Sequence, residues 1–339
     1  MVPRSKREEL DAAWRALAGY QSVEGWRTIS VATGDTCLLL AGRHFPGNEE
    51  TLLVGFTSIR IPPAEQLPLG SGFLVSKVDI GGEGAGYTWI ALRRQRAGNP
   101  ELFGMMADDV VMTLERQRVA DQDRLFHVFI SRIRAWQEFM RRGSNEILGP
   151  EAEVGLFGEL SFMHELLGVG LPARFVVDAW QGPLDGMQDF AFGTGAIEVK
   201  SSVSPQSFPA RIGTLDQLDD SLIRPLFLAA VRLEINPSGK ALPDFIHETR
   251  GLLETEPLAL ADFDSRLLHV GYLDAAAEHH TLCFIRTGIR LLPVTDNFPR
   301  LIRANVAIEI RKVRYEIDLD LILSGDVALT DALEQLGVI

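Results

Sequence analysis

The stretch Asp189-Phe190-Ala191-Phe192-Gly193-Thr194-Gly195-Ala196-Ile197-Glu198-Val199-Lys200 reads as a β-hairpin that ends in Glu-x-Lys. Glu198 and Lys200 are two residues apart on the second strand, so both side chains leave the same face. The Gly193-Thr194-Gly195 centre supplies the turn, and a hairpin folded there brings Asp189 opposite Glu198. Two carboxylates and an ammonium then converge at the end of a sheet. Such a trio can hold a divalent metal and position a water for attack on a phosphodiester. Glu-x-Lys also occurs on solvated strand faces. Here Ile197 and Val199 point to the opposite face, and Phe190 and Phe192 make the partner strand apolar.

A third carboxylate lies upstream. In Val154-Gly155-Leu156-Phe157-Gly158-Glu159-Leu160-Ser161-Phe162-Met163, the helical neighbours of Glu159 are Gly155, Leu156, Phe162 and Met163. A carboxylate at a core position needs a cation, a hydrogen-bond partner or solvent access. A rim glutamate paired with an arginine meets the same requirement.

Composition bounds the rest. The chain has 339 residues, 46% hydrophobic and 23% charged, as expected of a globular protein with two or three domains. No apolar run approaches the ~20 residues of a membrane span, and the N-terminal stretch lacks the apolar core of a secretory signal. Cys37 and Cys283 have no metal-binding spacing, so reduced thiols and a cytoplasmic location are expected. The net charge of -13 argues against a generally basic nucleic-acid coat protein but leaves room for a local basic groove. Three basic clusters are candidates for phosphate contacts: Arg116, Arg118, Arg124, Arg132, Arg134, Arg141 and Arg142; Arg93, Arg94 and Arg96; and Arg311, Lys312 and Arg314. Each could equally be a solvated, salt-bridged face. Ser201, Ser202 and Ser204 could donate to a phosphate or simply mark a loop. His279-His280 reads as surface, and no phosphate-binding glycine loop or Gly-x-Ser-x-Gly is present, so any ATP-driven step needs a partner.

Along the chain, the spacing predicts a helix over 7–19 and strands at Trp26–Ala32, Thr36–Ala41, Thr51–Thr57, Gly72–Val78 and Tyr87–Arg93. A helix through Phe126–Met140 stops at Gly143, and a second runs from Glu151 to Leu167. A strand at Arg174–Asp178, the hairpin, a polar segment of one or two helical turns at Thr214–Ser221 and a strand at Leu226–Leu233 follow. Helices at His247–Leu253 and Leu258–Leu268, strands at Thr281–Arg286, Ile289–Val294 and Val306–Leu319, and a final short helix complete the reading. The expected division is a β-rich domain over 1–115, a helical lead-in and core over 116–260, and a β-rich region over 261–339.

The order of Glu159, Asp189 and Glu198-x-Lys200 resembles the PD-(D/E)XK nuclease superfamily. Trp180-Gln181-Gly182-Pro183 ahead of Asp189, and Leu215-Asp216-Gln217-Leu218 after the lysine strand, are similar to the bacterial PD-(D/E)XK motif proteins of restriction and phage-defence loci. The resemblance implies an α/β, restriction-endonuclease-like αβββαβ core with a mixed sheet. It further implies a DNA endonuclease using Mg²⁺, with Mn²⁺ as substitute, in which Asp189 and Glu198 are metal ligands and Glu159 holds the metal through water or binds a second ion. Lys200 would orient the attacking water or steady the developing phosphorane charge, and Gln217 would contact the active site or DNA. Gln188 replaces the proline of the motif's name, and Ser221 stands where some relatives carry tyrosine. A double-strand cut needs two active sites, so a homodimer is expected, and the resemblance leaves room for an ATPase/helicase or methyltransferase partner encoded alongside. The competing expectation is a non-catalytic nucleic-acid-binding or scaffold subunit that keeps the nuclease fold.

Overall fold

The computed structural model describes residues 6–19, 24–33, 37–70, 72–81, 86–116, 121–141, 148–323 and 325–339. The expected strand start at Thr36, the helix stop at Gly143, and Arg118 and Arg142 lie outside them. The chain forms two compact units, Met1–Asn145 and Glu146–Ile339. The boundary falls inside the stretch that the sequence assigned to a helical lead-in and core.

The first unit is a helix α1 (Lys6–Ala18), five antiparallel strands β1 (Gly25–Thr33), β2 (Leu38–Phe45), β3 (Glu50–Phe56), β4 (Phe73–Val78) and β5 (Thr88–Arg94), and two helices α2 (Pro100–Arg116) and α3 (Gln122–Arg141). The sheet order is β1-β2-β3-β5-β4. The sequence reading had no counterpart to α2. Its start is set by Asn99, whose side chain accepts from the Glu101 amide at 2.8 Å, with Pro100 in the first turn. Phe103, Met106, Ala107, Val110, Val111 and Leu114 are buried along it. Asp109 of α2 takes both Nε and Nη2 of Arg132 on α3 at 2.6 Å and Trp136 Nε1 at 2.7 Å, so this nearly buried charge is well compensated.

The second unit opens with α4 (Pro150–Gly168) and α5 (Ala173–Ala179), followed by β6 (Phe190–Phe192), β7 (Gly195–Ser202), β8 (Pro209–Ile212) and the long β9 (Leu226–Ala241). Helices α6 (Leu242–Leu253) and α7 (Pro257–His269), strands β10 (Cys283–Pro293) and β11 (Tyr315–Asp318), and α8 (Leu329–Gln335) complete it. The main sheet runs β10-β9-β7-β6 and is mixed, with β7 and β9 parallel and the outer pairs antiparallel. One core joins Ile197 and Val199 of β7 to Phe157, Leu160 and Phe162 of α4 and to α6 and α7. On the other face Ala196, Leu228 and Ala230 pack with Phe208, Ala210, Ile212 and Ile317 of the β8–β11 pair.

Several local expectations change. Residues 174–178 form α5, not a strand, although Phe175-Val176-Val177 favour β structure. The amides of Ala173 and Arg174 each donate to the Glu256 carboxylate at 3.0 Å, and Arg174 pairs with Asp178 one turn on. A cap delivered from elsewhere in the chain thus overrides the β-branched run. Thr214–Ser221 forms bends and turns rather than helix, with Asp216 paired to Arg303 and Asp220 to Arg300. The two strands expected on either side of Gly288 are one strand with a register shift there, and 306–314 is not β structure.

Helix α4 lies unusually close to β7. A Cβ added to Gly158 would stand 1.6 Å from Ser201 Oγ and 2.8 Å from Ser201 Cβ. Only a glycine permits that approach, and it sets the depth at which the neighbouring Glu159 enters the unit. Gly158→Ala should therefore cost roughly 1–3 kcal/mol despite alanine's better helix propensity. In a Ser201→Gly background, chemical denaturation should show a smaller cost; equal costs in both backgrounds would mean that this close approach is not the constraint.

Candidate active site

The hairpin places three of the expected residues by backbone geometry alone. Phe192 pairs with Gly195, so the turn is the two residues Gly193 and Thr194, and Gly193 takes φ of 56° where a two-residue hairpin needs glycine first. Phe190 pairs with Ile197, and the same register carried one residue further sets Asp189 opposite Glu198. Asp189 Oδ2 accepts from the Val199 amide at 2.7 Å, and Lys200 Nζ donates to Glu198 Oε1 at 2.6 Å. Glu198 is 1% exposed and the Lys200 side chain 16%.

Glu159 reaches this group from α4. Its Oε2 accepts from the indole of Trp180 at 2.7 Å, and Trp180 is fully buried. The chain after Trp180 holds Asp189 from the other side: the amides of Gln181 and Gly182 both donate to the Asp189 carbonyl, at 2.7 and 3.1 Å. A Cβ on Gly182 would lie 2.8 Å from Asp189 Oδ1 and 3.0 Å from Glu159 Oε2, closer than a methyl group allows, so the glycine lets this segment press against both carboxylates. The Trp180-Gln181-Gly182 stretch was visible in the sequence, but its role was not. It is an isolated bridge to β6 that seats both acids, and Arg266 anchors it by donating to the Trp180 carbonyl.

The electrostatics follow from this crowding. Burial pushes the Glu198 carboxyl up to about 8, with Asp189 adding to the rise and Lys200 opposing it. Burial likewise raises Asp189 against the pull of Lys200 and the Val199 amide. Glu159 is raised well above the carboxylate range by burial and by Asp189, partly offset by the Trp180 hydrogen bond. For Lys200 burial works toward the neutral amine, but the surrounding carboxylates outweigh it and the ammonium is held above its ordinary value. Three acids thus share one base, and each carboxylate resists losing its proton.

Gln217 makes no hydrogen bond to the three acids or to Lys200 among the described residues. Its Oε1 accepts from the Gly213 amide at 2.8 Å and closes a turn, while its carbonyl accepts from Gln188 Nε2. The serines after Lys200 also turn to local duties: Ser202 Oγ accepts from the Ser204 amide, and Ser201 faces Gly158. His280, expected at the surface, is 3% exposed. Its Nδ1 lies 3.4 Å from Glu153 Oε2, and its ring packs near Tyr272.

All acidic donors here are carboxylate oxygens, the set that hard divalent cations such as Mg²⁺ and Mn²⁺ prefer. The raised carboxylates fit a cation in chemistry. Among the described residues, however, no three His, Cys, Asp or Glu side chains converge at metal-holding distance. Glu198 is turned to Lys200 instead.

Residues 10–320 match the sequence profile of the family described as "Putative PD-(D/E)XK family member, (DUF4420)". The chain belongs to this family. No curated protein and no solved structure matches it. Membership accords with a nuclease-like α/β fold, and no helix among the described residues is long and apolar enough to cross a membrane.

Two outcomes are expected. In EDTA, a carboxyl raised from 4.5 to about 8 leaves folding unpenalised below 4.5 and lowers stability as pH rises through 8. The melting temperature should fall over that interval, and Glu198→Gln should flatten the fall; an unchanged slope would mean that Glu198 ionises normally. Gly182→Ala should cost roughly 1–3 kcal/mol, because the added Cβ would crowd Asp189 and Glu159, and should also remove most of the stabilisation by millimolar Mg²⁺ or Mn²⁺, read as a melting shift. A full shift in this variant would place the cation elsewhere.

Proposed function

We propose that the chain is a divalent-metal-dependent DNA endonuclease that hydrolyses phosphodiester bonds, in the restriction or phage-defence setting that the family resemblance suggests. The observation that carries this reading is the seating of Asp189, Glu198 and Lys200 on one end of a mixed sheet, with Glu159 brought to them by Trp180. Asp189 and Glu198 would hold Mg²⁺ or Mn²⁺, with Glu159 reaching it through water. When bound, the cation would supply charge neutralisation at the scissile phosphate. Lys200 would orient the attacking water and donate to the phosphoryl oxygen on which negative charge builds. The β6–β7 register holds the acids so that they need not reorganise during the reaction, and Gly182 lets its segment pack against Asp189. A double-strand cut would draw on two copies of the chain.

A second reading has its own observation. Glu198 is engaged by Lys200, and among the described residues no three acids reach metal-holding distance. A chain that retained the fold as a nucleic-acid-binding or scaffold subunit would show that arrangement.

Cleavage separates the two. The purified protein should nick or cut DNA with Mg²⁺ or Mn²⁺ and not with EDTA, and Asp189→Ala, Glu198→Ala and Lys200→Ala should each lower the rate by at least ~100-fold without loss of fold. Metal-dependent cleavage that survives all three substitutions would place the chemistry elsewhere. Absence of both cleavage and any divalent-ion shift in melting would favour the scaffold.

A further inference from the structure

The second unit carries fifteen lysines and arginines, and nearly all are committed. Arg174, Lys200, Arg211, Arg224, Arg232, Lys240, Arg250, Arg286, Arg290, Arg300 and Arg303 each pair with a carboxylate, and Arg266 donates to the Trp180 carbonyl. Among the described residues of this unit, the cations with neither kind of partner are Arg311, Lys312 and Arg314. They are exposed, they are almost contiguous, and they lie in a chain whose net charge is -13. In the basic clusters of the first unit Arg94 is tied to Glu50, Arg96 to Glu49, Arg132 to Asp109 and Arg141 to Glu138, while Arg93, Arg124 and Arg134 have no carboxylate partner among the described residues but are spread over a strand and a helix rather than gathered on one segment.

The three residues sit on an arm, Leu301–Arg314, that runs between two fixed ends. At its start, Arg300 pairs with Asp220 at 2.8 Å and Arg303 with Asp216 at 2.9 Å. At its end, the Tyr315 hydroxyl accepts from the Leu301 amide at 3.0 Å, and Tyr315 begins β11 by pairing with Ile212. The intervening residues are largely exposed, Ile308 by 90%. Tyr315 packs in the same cluster as Ala196, and Ala196, Glu198 and Lys200 share one face of β7. The arm therefore leaves the fold on the face that carries the candidate active site. Burial pushes the Tyr315 phenol up, and the Leu301 hydrogen bond and the charges of Arg300 and Lys200 act against that rise, in keeping with this proximity.

We propose that the Leu301–Arg314 arm is a DNA-backbone clamp, with Arg311, Lys312 and Arg314 contacting phosphates of the duplex presented to Asp189, Glu198 and Lys200. This inference rests on the endonuclease reading for the identity of the ligand. An acidic protein has little reason to leave three adjacent cations unpaired on an anchored arm. A polyanion supplies the missing partners, and arginine forks suit phosphate oxygens. Glu309 is the one acid on the arm, so the arm keeps a net positive charge.

The test measures binding of a short fluorescent DNA duplex to the full chain by anisotropy, in an Asp189→Asn background so that the probe survives. Arg311→Gln/Lys312→Gln/Arg314→Gln should weaken binding roughly tenfold or more at low salt. It should also reduce the slope of log affinity against log salt by about 2–3, at roughly 0.9 for each phosphate that is no longer neutralised. In the otherwise unaltered chain the same substitutions should raise KM for DNA far more than they lower kcat, and leave the divalent-ion melting shift intact. Unchanged affinity and salt slope would overturn the clamp and turn the arm's exposed Ile308 and Ile310 toward a protein partner. If the unaltered chain cleaves DNA and the triple variant does so with the same KM, the clamp fails while the endonuclease reading stands. If the triple variant loses affinity but the unaltered chain never cleaves, the clamp stands and the endonuclease reading fails. A single-stranded RNA probe that shows the larger loss would also overturn the assignment to duplex DNA.

Discussion

Three carboxylates and one ammonium share a small volume, part-buried except for the fully buried Glu198, at the end of the β6–β7 hairpin, and much of the second unit is arranged to make that tolerable. Isolated ionised carboxylates are not stable in such surroundings, so each has a specific compensation. Asp189 takes a backbone amide, Glu159 an indole, and Glu198 the ammonium of Lys200. The compensation is incomplete, because one positive charge cannot satisfy three acids. Their preference for the protonated form is the residue of that imbalance. Acids that resist ionisation on their own would gain, in a bound hard cation, the partner that favours their charged form, which is how the crowding relates to the proposed chemistry.

The surrounding architecture holds this group from three directions. The hairpin fixes the spacing of Asp189 and Glu198 through a register that cannot slip without turning Phe190 and Phe192 out of the core. Helix α4 brings Glu159 close because Gly158 lets the helix settle against Ser201. The Trp180–Gly182 segment closes the third side, tied to Asp189 through its amides and to α7 through Arg266. A fault in any one of these would displace a carboxylate rather than unfold the unit, so variants at the supporting positions can separate stability from function.

The charge distribution extends the same logic to the surface. Most cations of the second unit serve as internal partners for its many acids, which explains how a chain of net charge -13 folds without a basic groove being evident from composition. The exception is the anchored arm before β11, where charge is held outward. Local arrangement, not net charge, decides where a polyanion could approach.

The sequence alone determined the hairpin, its turn and the alternation that sends Glu198 and Lys200 to one face, because period-two geometry and a glycine turn are local properties of the chain. It also determined α4 and the anomalous position of Glu159 among apolar residues. Other features were decided only by the tertiary structure. Residues 174–178 became helix because Glu256, distant in sequence, caps the amides at its start. Gln217 was drawn into a turn by the Gly213 amide, and His280 was buried against Glu153, neither of which leaves a periodic trace in sequence. The parts played by Trp180 and Gly182 were hidden for the same reason: an indole donating to a carboxylate 21 residues earlier, and a glycine pressed against two acids, exist only once the chain has folded back on itself. Local preference writes strands and turns into sequence, whereas long-range hydrogen bonds and close packing are properties of the assembled fold.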